Sequence, residues 1–389
     1  MSLATPIPSC LSDCFTTEND DVFIRREQNC LAITLNRPKA LNALNSSMAL
    51  AIGRALRFAE QDNAIRCVIV DAVGGRAFCA GGDVREVAAA LTTHKGEAGH
   101  KLASACLARE YRLDYHIHHF AKPYIALVDG IVMGGGLGLS AHAARRIVSE
   151  NLDMTMPETA IGLFPDIGAA WFLNFYPGRA GVFTAMTGHR LNTADGVTVN
   201  FAHHIVPKAR FPELRAALIA AAPATATDVD HVTTKFTARL HELNNGAGMV
   251  PSLMHYMPLI DTCFTAASAA EMMTRLAERA NAGHEDAAKI LGHLRTRCPT
   301  SLALTVEHVN RAQGRSVAYA LKMDYLLEIR CIAAPDFVEG IRSLLIDKDN
   351  KPNWQPARID DITPDRIAAF FAPPNPAKGE VELDFRVVE

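Results

Sequence analysis

The sequence has no CxxC pair, no GxxxxGK[ST] phosphate loop, no apolar run of membrane-spanning character and little net charge. Each absence excludes something. Without the phosphate loop, a P-loop nucleotide-binding site is out. Lys plus Arg number 39 against 42 Asp plus Glu, so no bulk field draws the chain to nucleic acid or anionic lipid. The nine cysteines are odd in number and scattered, which reads as reduced packing cysteines of an intracellular protein. Cys10 and Cys14 form the one close pair, and two residues do not make a zinc site. Met1 to Asp21 carries neither the basic n-region of a secretory signal nor an Arg-rich amphipathic stretch. The most membrane-like run, Pro123 to Ala144, holds Asp129, five glycines and His142, and reads as a buried strand followed by a helix.

What is present is an ordinary core-forming composition, 49% hydrophobic and 21% charged over 389 residues, enough for a large core with an appendage. Residues 1–20 read as a polar lead-in. Val22, Ile24 and Leu31 to Leu35 read as strands, Asn45-Ser46-Ser47 caps a helix carrying Met48, Ile52, Leu56 and Ala59, and Cys67 to Val70 reads as a strand buried on both faces. Asp83 opens another helix with Glu86 as a capping-box partner. Tyr124 to Val132 repeats strand and turn, with a helix from Gly136 to about Arg145, and strands over Arg146 to Ser149 and Leu152 to Thr155. This alternation through about residue 212 predicts an α/β layer fold, either a doubly wound sheet or a strand–helix spiral. From 213 to 372 helices take over, and 373–389 reads as a tail.

Two glycine-rich turns carry the chemical signal. Phe78-Cys79-Ala80-Gly81-Gly82-Asp83 and Met133-Gly134-Gly135-Gly136-Leu137-Gly138 both stand at helix starts, where unpaired N–H groups suit an oxyanion or phosphate. Alone, each is equally a tight turn where a helix crosses a strand, and neither is GxGxxG. Gly138-Leu139-Ser140-Ala141-His142 misses the final glycine of a nucleophile elbow, so a serine hydrolase is rejected. In Met156-Pro157-Glu158 through Phe164-Pro165-Asp166, two carboxylates sit among apolar residues, where desolvation raises a pKa toward a useful acid–base range. Glu158 is also placed for a first helical turn, and Asp166 for an N-cap over Ile167 to Phe172. His116, His118 and His119 read as a solvated helix face rather than a metal site, and Glu110 by itself as a surface charge.

In combination and in order, these segments resemble the crotonase (enoyl-CoA hydratase/isomerase) superfamily. The resemblance is carried by Ile33-Thr34-Leu35-Asn36-Arg37-Pro38 with Asn42-Ala43-Leu44-Asn45, by the two glycine turns, and by Lys122-Pro123. Arg109-Glu110-Tyr111, the Met156–Asp166 segment and Glu339-Gly340-Ile341-Arg342 with Asp347-Lys348-Asp349 are similar to the branch that hydrolyses a short branched hydroxyacyl-CoA thioester, 3-hydroxyisobutyryl-CoA. The resemblance implies a ββα spiral core over 21–212 and a helical C-terminal region. It implies that the N–H groups of Gly82 and Gly135 form an oxyanion hole, that Glu158 is the main catalytic carboxylate, and that Glu110 and Asp166 line the acyl pocket. No cofactor beyond the substrate's own CoA, no metal, no nucleic acid and no membrane partner is expected, and relatives often form homo-oligomers. A role in valine breakdown implies the mitochondrial matrix, otherwise the cytoplasm. Hydratases of the superfamily commonly place a second glutamate two residues after the glycine triplet. That position here is Gly138, while Asp166 stands where hydratases usually have glycine, so hydrolysis is expected ahead of hydration or isomerisation, or of non-catalytic acyl-CoA binding.

Overall fold

Pairing of the β-branched runs sets the frame. In the computed structural model, which describes residues 20–94, 96–243 and 248–386, the strands are β1 (Val22–Glu27), β2 (Cys30–Leu35), β3 (Cys67–Ala72), β4 (Ala77–Cys79), β5 (Tyr124–Val128), β6 (Ile131–Met133), β7 (Arg145–Val148), β8 (Asp153–Thr155) and β9 (His204–Ile205). One sheet runs β1-β2-β3-β5-β7-β9, antiparallel at β1–β2 and parallel thereafter, and the other runs β4-β6-β8 in parallel. The consecutive pairs β3/β4, β5/β6 and β7/β8 each place one strand in each sheet. This is the strand–helix spiral rather than a doubly wound sheet. The apolar run at 67–70 is split by the strand period: Val68 and Val70 face one core while Cys67 and Ile69 face a second, beneath Leu214 and Leu218.

The helices that frame the cavity are α1 (Ser46–Gln61), α2 (Val84–Thr93), α3 (Glu97–His118), α4 (Gly135–Ala141), α5 (Pro299–Ala312), α6 (Val317–Cys331) and α7 (Pro335–Ile341). Asn45 caps α1 by accepting from the Met48 N–H, and the helix buries Met48, Ile52, Leu56 and Ala59, as its apolar period requires. The run 123–144 supplies β5, β6 and α4; among the described residues no helix is long and apolar enough to cross a membrane. Helix α4 stops at Ala141, short of Arg145, because Arg145 already pairs with Ile125 in the sheet.

Helices α6 and α7 pack back against α3 and α2, so the C-terminal half walls the spiral instead of standing apart from it. One apolar cluster contains both Ile33 and Val70 of the first sheet and Leu321, Leu327 and Phe337 of these late helices. The chain end returns as well: the Phe385 ring stacks on Tyr115 of α3 at 3.9 Å, and Arg330 of α6 is paired with Glu380 at 2.5 Å. Residues 1–19, including Cys10 and Cys14, lie outside the described part of the chain.

Candidate active site

Three neighbouring strands of the small sheet run in parallel, so they end on the same side, and each ends in a candidate residue. Strand β4 leads into Gly81-Gly82, β6 into Gly134-Gly135, and β8 into Pro157-Glu158. All three turns border one cavity of about 240 Å³, together with Glu110 of α3 and Asp166. Every site residue expected from sequence is therefore gathered at one place.

The glycine turns touch through their backbones. The Gly81 and Gly134 turns are so close that a Cβ on Gly134 would lie 3.4 Å from the Gly81 Cα and 3.2 Å from Glu158 Oε1. Gly81 has φ +104° and Gly134 φ +44°, a region that L side chains disfavour, and each positive φ turns the peptide that follows it. No described hydrogen bond engages the N–H of Gly82 or of Gly135. Gly82 N lies 3.0 Å from where a Gly135 Cβ would stand, so the two amides are close neighbours. The first turn is pinned from outside: the Leu44 N–H donates to Gly81 O (2.8 Å) and the Asp83 N–H to Leu44 O (2.7 Å). Asn42 donates to the carbonyls of Val73 and Ala77, and Arg37 pairs with Asp83 at 3.0 Å, which gives the Asn42–Asn45 and Arg37-Pro38 segments a structural task. Asp83 and Glu86 do not form the expected capping box; Asp83 is taken by Arg37, and Glu86 accepts from the Ser46 N–H instead.

Glu110 is not a surface charge. Its helix packs beneath the glycine turns, and a Cβ on Gly135 would fall 2.1 Å from Glu110 Oε1. Asp166 is not an N-cap either: the short helix starts at Ala169 behind Gly168, and Asp166 Oδ2 accepts from the Tyr111 hydroxyl at 2.7 Å. The backbone behind it is held in a costly shape. Ile167, β-branched and fully buried, has φ +55°, a conformation that costs of order 1–3 kcal/mol unless its surroundings impose it. Here they do: Ile167 O accepts from His142 Nε2 (2.8 Å), and the Gly168 N–H donates to Asp324 Oδ2 (2.6 Å), whose other oxygen meets His308 Nε2 at 2.5 Å.

Among the described residues no Lys, Arg or His borders the cavity, and no ion pair joins Glu110, Glu158, Asp166 or Glu328 to a cation, whereas Asp83 at the rim is paired with Arg37. Burial, then Asp324, pushes Asp166 up to about 7 although the Tyr111 hydroxyl pulls the other way. Burial, then Asp166 and Glu86, pushes Glu110 up to about 8. Burial and Asp166 hold Glu158 well above the ordinary carboxylate range. Asp166 raises both Glu110 and Glu158, while the Tyr111 hydroxyl favours the ionised form of Asp166 itself, so the carboxyls titrate as a coupled set.

Three carboxyls escaped the sequence reading. Asp114 lies one turn after Glu110, fully buried with neither oxygen partnered, and Asp324 and Glu328 stand one turn apart on α6, with Glu328 in the cavity wall. A signal existed: Glu110/Asp114 and Asp324/Glu328 are like-charged i,i+4 pairs, which destabilise an isolated helix and mean something when placed among apolar residues. The histidine cluster is only partly a solvated face, with His119 exposed. His118 is half-buried, edge-on to His142 (5.5 Å) and Trp171 (4.9 Å), which makes it packing for the Ile167 turn, and His116 meets Glu60 at 3.0 Å.

Known proteins resemble this chain in sequence and in fold. The Xenopus tropicalis protein named mitochondrial 3-hydroxyisobutyryl-CoA hydrolase is 40% identical over 340 residues, covering 87% of this chain and 85% of its own length. The human protein of the same name is 33% identical over 356 residues, covering 92% and 89%. Among solved structures, a Mycobacterium thermoresistibile protein titled carnitinyl-CoA dehydratase superposes with TM-score 0.82 at 33% identity, covering 95% of this chain and 99% of that one. A Rhodobacter sphaeroides protein titled enoyl-CoA hydratase superposes with TM-score 0.78 at 36% identity, covering 91% and 97%. The family description enoyl-CoA hydratase/isomerase matches residues 30–371, from β2 through the helices that close the cavity. With spiral, paired glycine turns and sequence in agreement over that span, the chain belongs to the enoyl-CoA hydratase/isomerase family, within the crotonase superfamily.

Proposed function

We propose that this chain is an acyl-CoA thioester hydrolase that splits 3-hydroxyisobutyryl-CoA into 3-hydroxyisobutyrate and free CoA. The observation that carries the reading is the convergence of Gly82, Gly135 and Glu158 from three adjacent parallel strand ends on one cavity that also holds Glu110 and Asp166. Two amides that no described hydrogen bond engages can oppose the charge that grows on a thioester oxygen; losing one such donor typically adds roughly 2.7–4 kcal/mol to the barrier. Glu158, in its ionised form, either takes a proton from water as that water adds to the carbonyl carbon, or attacks the carbon itself to give a mixed anhydride that water then opens. In both routes the C–S bond breaks and CoA leaves as the thiolate; the proton it gains comes from the attacking water, passed through Glu158 in the first route and released when water opens the anhydride in the second. Single turnover in ¹⁸O-water tests the second route: label appears in the Glu158 carboxyl when water opens the anhydride at the Glu158 carbonyl carbon, and never in the general-base route. Asp166, fixed by Tyr111, positions the water. No cofactor is required.

The hydratase and dehydratase titles of the two solved structures make hydration the rival. Hydration in this family commonly uses a second glutamate two residues after the glycine triplet. Here that residue is Gly138, and the space a side chain would need is filled: its Cβ would stand 2.4 Å from Asp114 Oδ1. The curated relatives carry the hydrolase name and are described as mitochondrial, which supports placing this activity in valine breakdown in the mitochondrial matrix.

An acyl-CoA panel with thiol trapping tests the function. Release of CoA from 3-hydroxyisobutyryl-CoA, lost by about 10²–10⁴-fold in Glu158→Gln without a change in fold, is the expected result. Hydration of crotonyl-CoA without thiol release would replace it with the rival. Binding without either reaction would reduce the protein to an acyl-CoA binder.

A further inference from the structure

The cavity wall holds a buried carboxyl that the proposed chemistry leaves unused. Glu328 comes from α6, in the C-terminal half, yet its side chain borders the same cavity as the two glycine turns. It is 2% exposed and its Oε2 has no hydrogen-bond partner. Its helix is anchored in place one turn earlier, where Asp324 holds the Gly168 N–H and His308. A buried oxygen left without a partner is costly, so its unmet hydrogen-bonding capacity calls for a ligand group.

The chemistry of that group is constrained. Asp166, Asp324, Glu158 and Glu110 all act on Glu328 electrostatically, and none of the cavity lining is cationic. An acidic acyl group would be repelled, and a purely apolar one would leave Glu328 unsatisfied. A hydroxyl suits it, because it can both donate to and accept from a carboxylic acid that keeps its proton. Burial and the neighbouring carboxyls keep it in that form, holding Glu328 well above the ordinary carboxylate range.

We infer that Glu328 is a specificity-determining residue that hydrogen-bonds the hydroxyl of the substrate's acyl group and so selects hydroxyacyl over plain acyl thioesters. The assignment rests on the hydrolase function proposed above. It divides the labour between two walls: the glycine turns and Glu158 act on the thioester, and the C-terminal half reads the acyl chain.

The test uses the full-length protein with Glu328→Met and Glu328→Leu, which remove hydrogen bonding at similar volume, and Glu328→Gln, which keeps a donor and an acceptor. Each is combined with Glu158→Gln to stop turnover, and titration calorimetry gives Kd for 3-hydroxyisobutyryl-CoA and for isobutyryl-CoA. The Met and Leu variants should lose the preference for the hydroxylated thioester by about 10- to 100-fold while isobutyryl-CoA binding stays within about threefold, and Gln should keep most of it. An equal loss on both thioesters, or an unchanged ratio, overturns the assignment, since a merely structural carboxyl cannot distinguish them. Thiol release by the unmodified protein is scored separately. Its absence would remove the hydrolase function, while the Kd ratio would still decide whether Glu328 reads the hydroxyl.

Discussion

Tyr111 offers a direct handle on how the cavity holds its charge. Its buried hydroxyl donates to Asp166 Oδ2 over 2.7 Å and is the side-chain contact that favours the ionised form of Asp166. A hydrogen bond to a charged acceptor contributes about 1.5–3 kcal/mol. Since about 1.36 kcal/mol corresponds to a tenfold change in ionisation, Tyr111→Phe should move the proton loss of Asp166 upward by about one to two pH units. Asp166 ionises at about 7 in the intact cluster, so the variant should need roughly pH 8–9. The sign follows from the mechanism: Glu158 or Asp166 must bear a negative charge, the form present above the pKa, so removing the donor starves the reaction on the acid side. The assay is kcat/KM for thiol release against pH. Wild-type activity should rise through about pH 7, and the variant's acid limb should lie to the right with a similar plateau. Superimposable acid limbs would refute the idea that this hydroxyl sets the charge of the site.

Gly135→Ala should lower kcat by about 10²–10³-fold, because its Cβ would meet Glu110 Oε1 at 2.1 Å and crowd the Gly82 amide at 3.0 Å; steady-state kinetics beside a thermal melt separates this from unfolding. Asp166→Asn should gain stability relative to wild type as pH rises. An unfolded aspartate loses its proton near 4, whereas the folded one holds it to about 7, so between those values the raised pKa weakens the wild type alone. Urea unfolding at pH 5 and pH 8 should show a relative gain of about 1–3 kcal/mol, and no pH dependence of the difference would contradict it. Gly138→Glu should fail to create a hydratase and should destabilise the fold, because Asp114 fills the space; pairing it with Asp114→Gly should recover stability, measured by melting temperature.

Much of the frame was legible because its causes are local. Asn45 caps its helix with its own side chain, the strand runs show their burial in their apolar pattern, and Gly81 and Gly134 advertise positive φ. The errors arose where a tertiary partner outcompeted a local one. Asp83 prefers Arg37 to its own helix end, Asp166 prefers the Tyr111 hydroxyl to an N-cap, and His118 packs on Trp171 rather than facing water.

By itself, then, the sequence determined the alternation of strands and helices, its two glycine turns and the presence of carboxylates beside them, since each follows from periodicity, φ preference or motif order over a few residues. The choice of spiral over doubly wound sheet came only with the family resemblance. Only the tertiary structure decided which carboxyls share one cavity and hold protons there. Glu110, Glu158, Asp166 and Glu328 come from distant parts of the chain, and their ionisation depends on mutual distance and on the absence of a cation among them. Neither condition exists until the C-terminal helices close over the spiral.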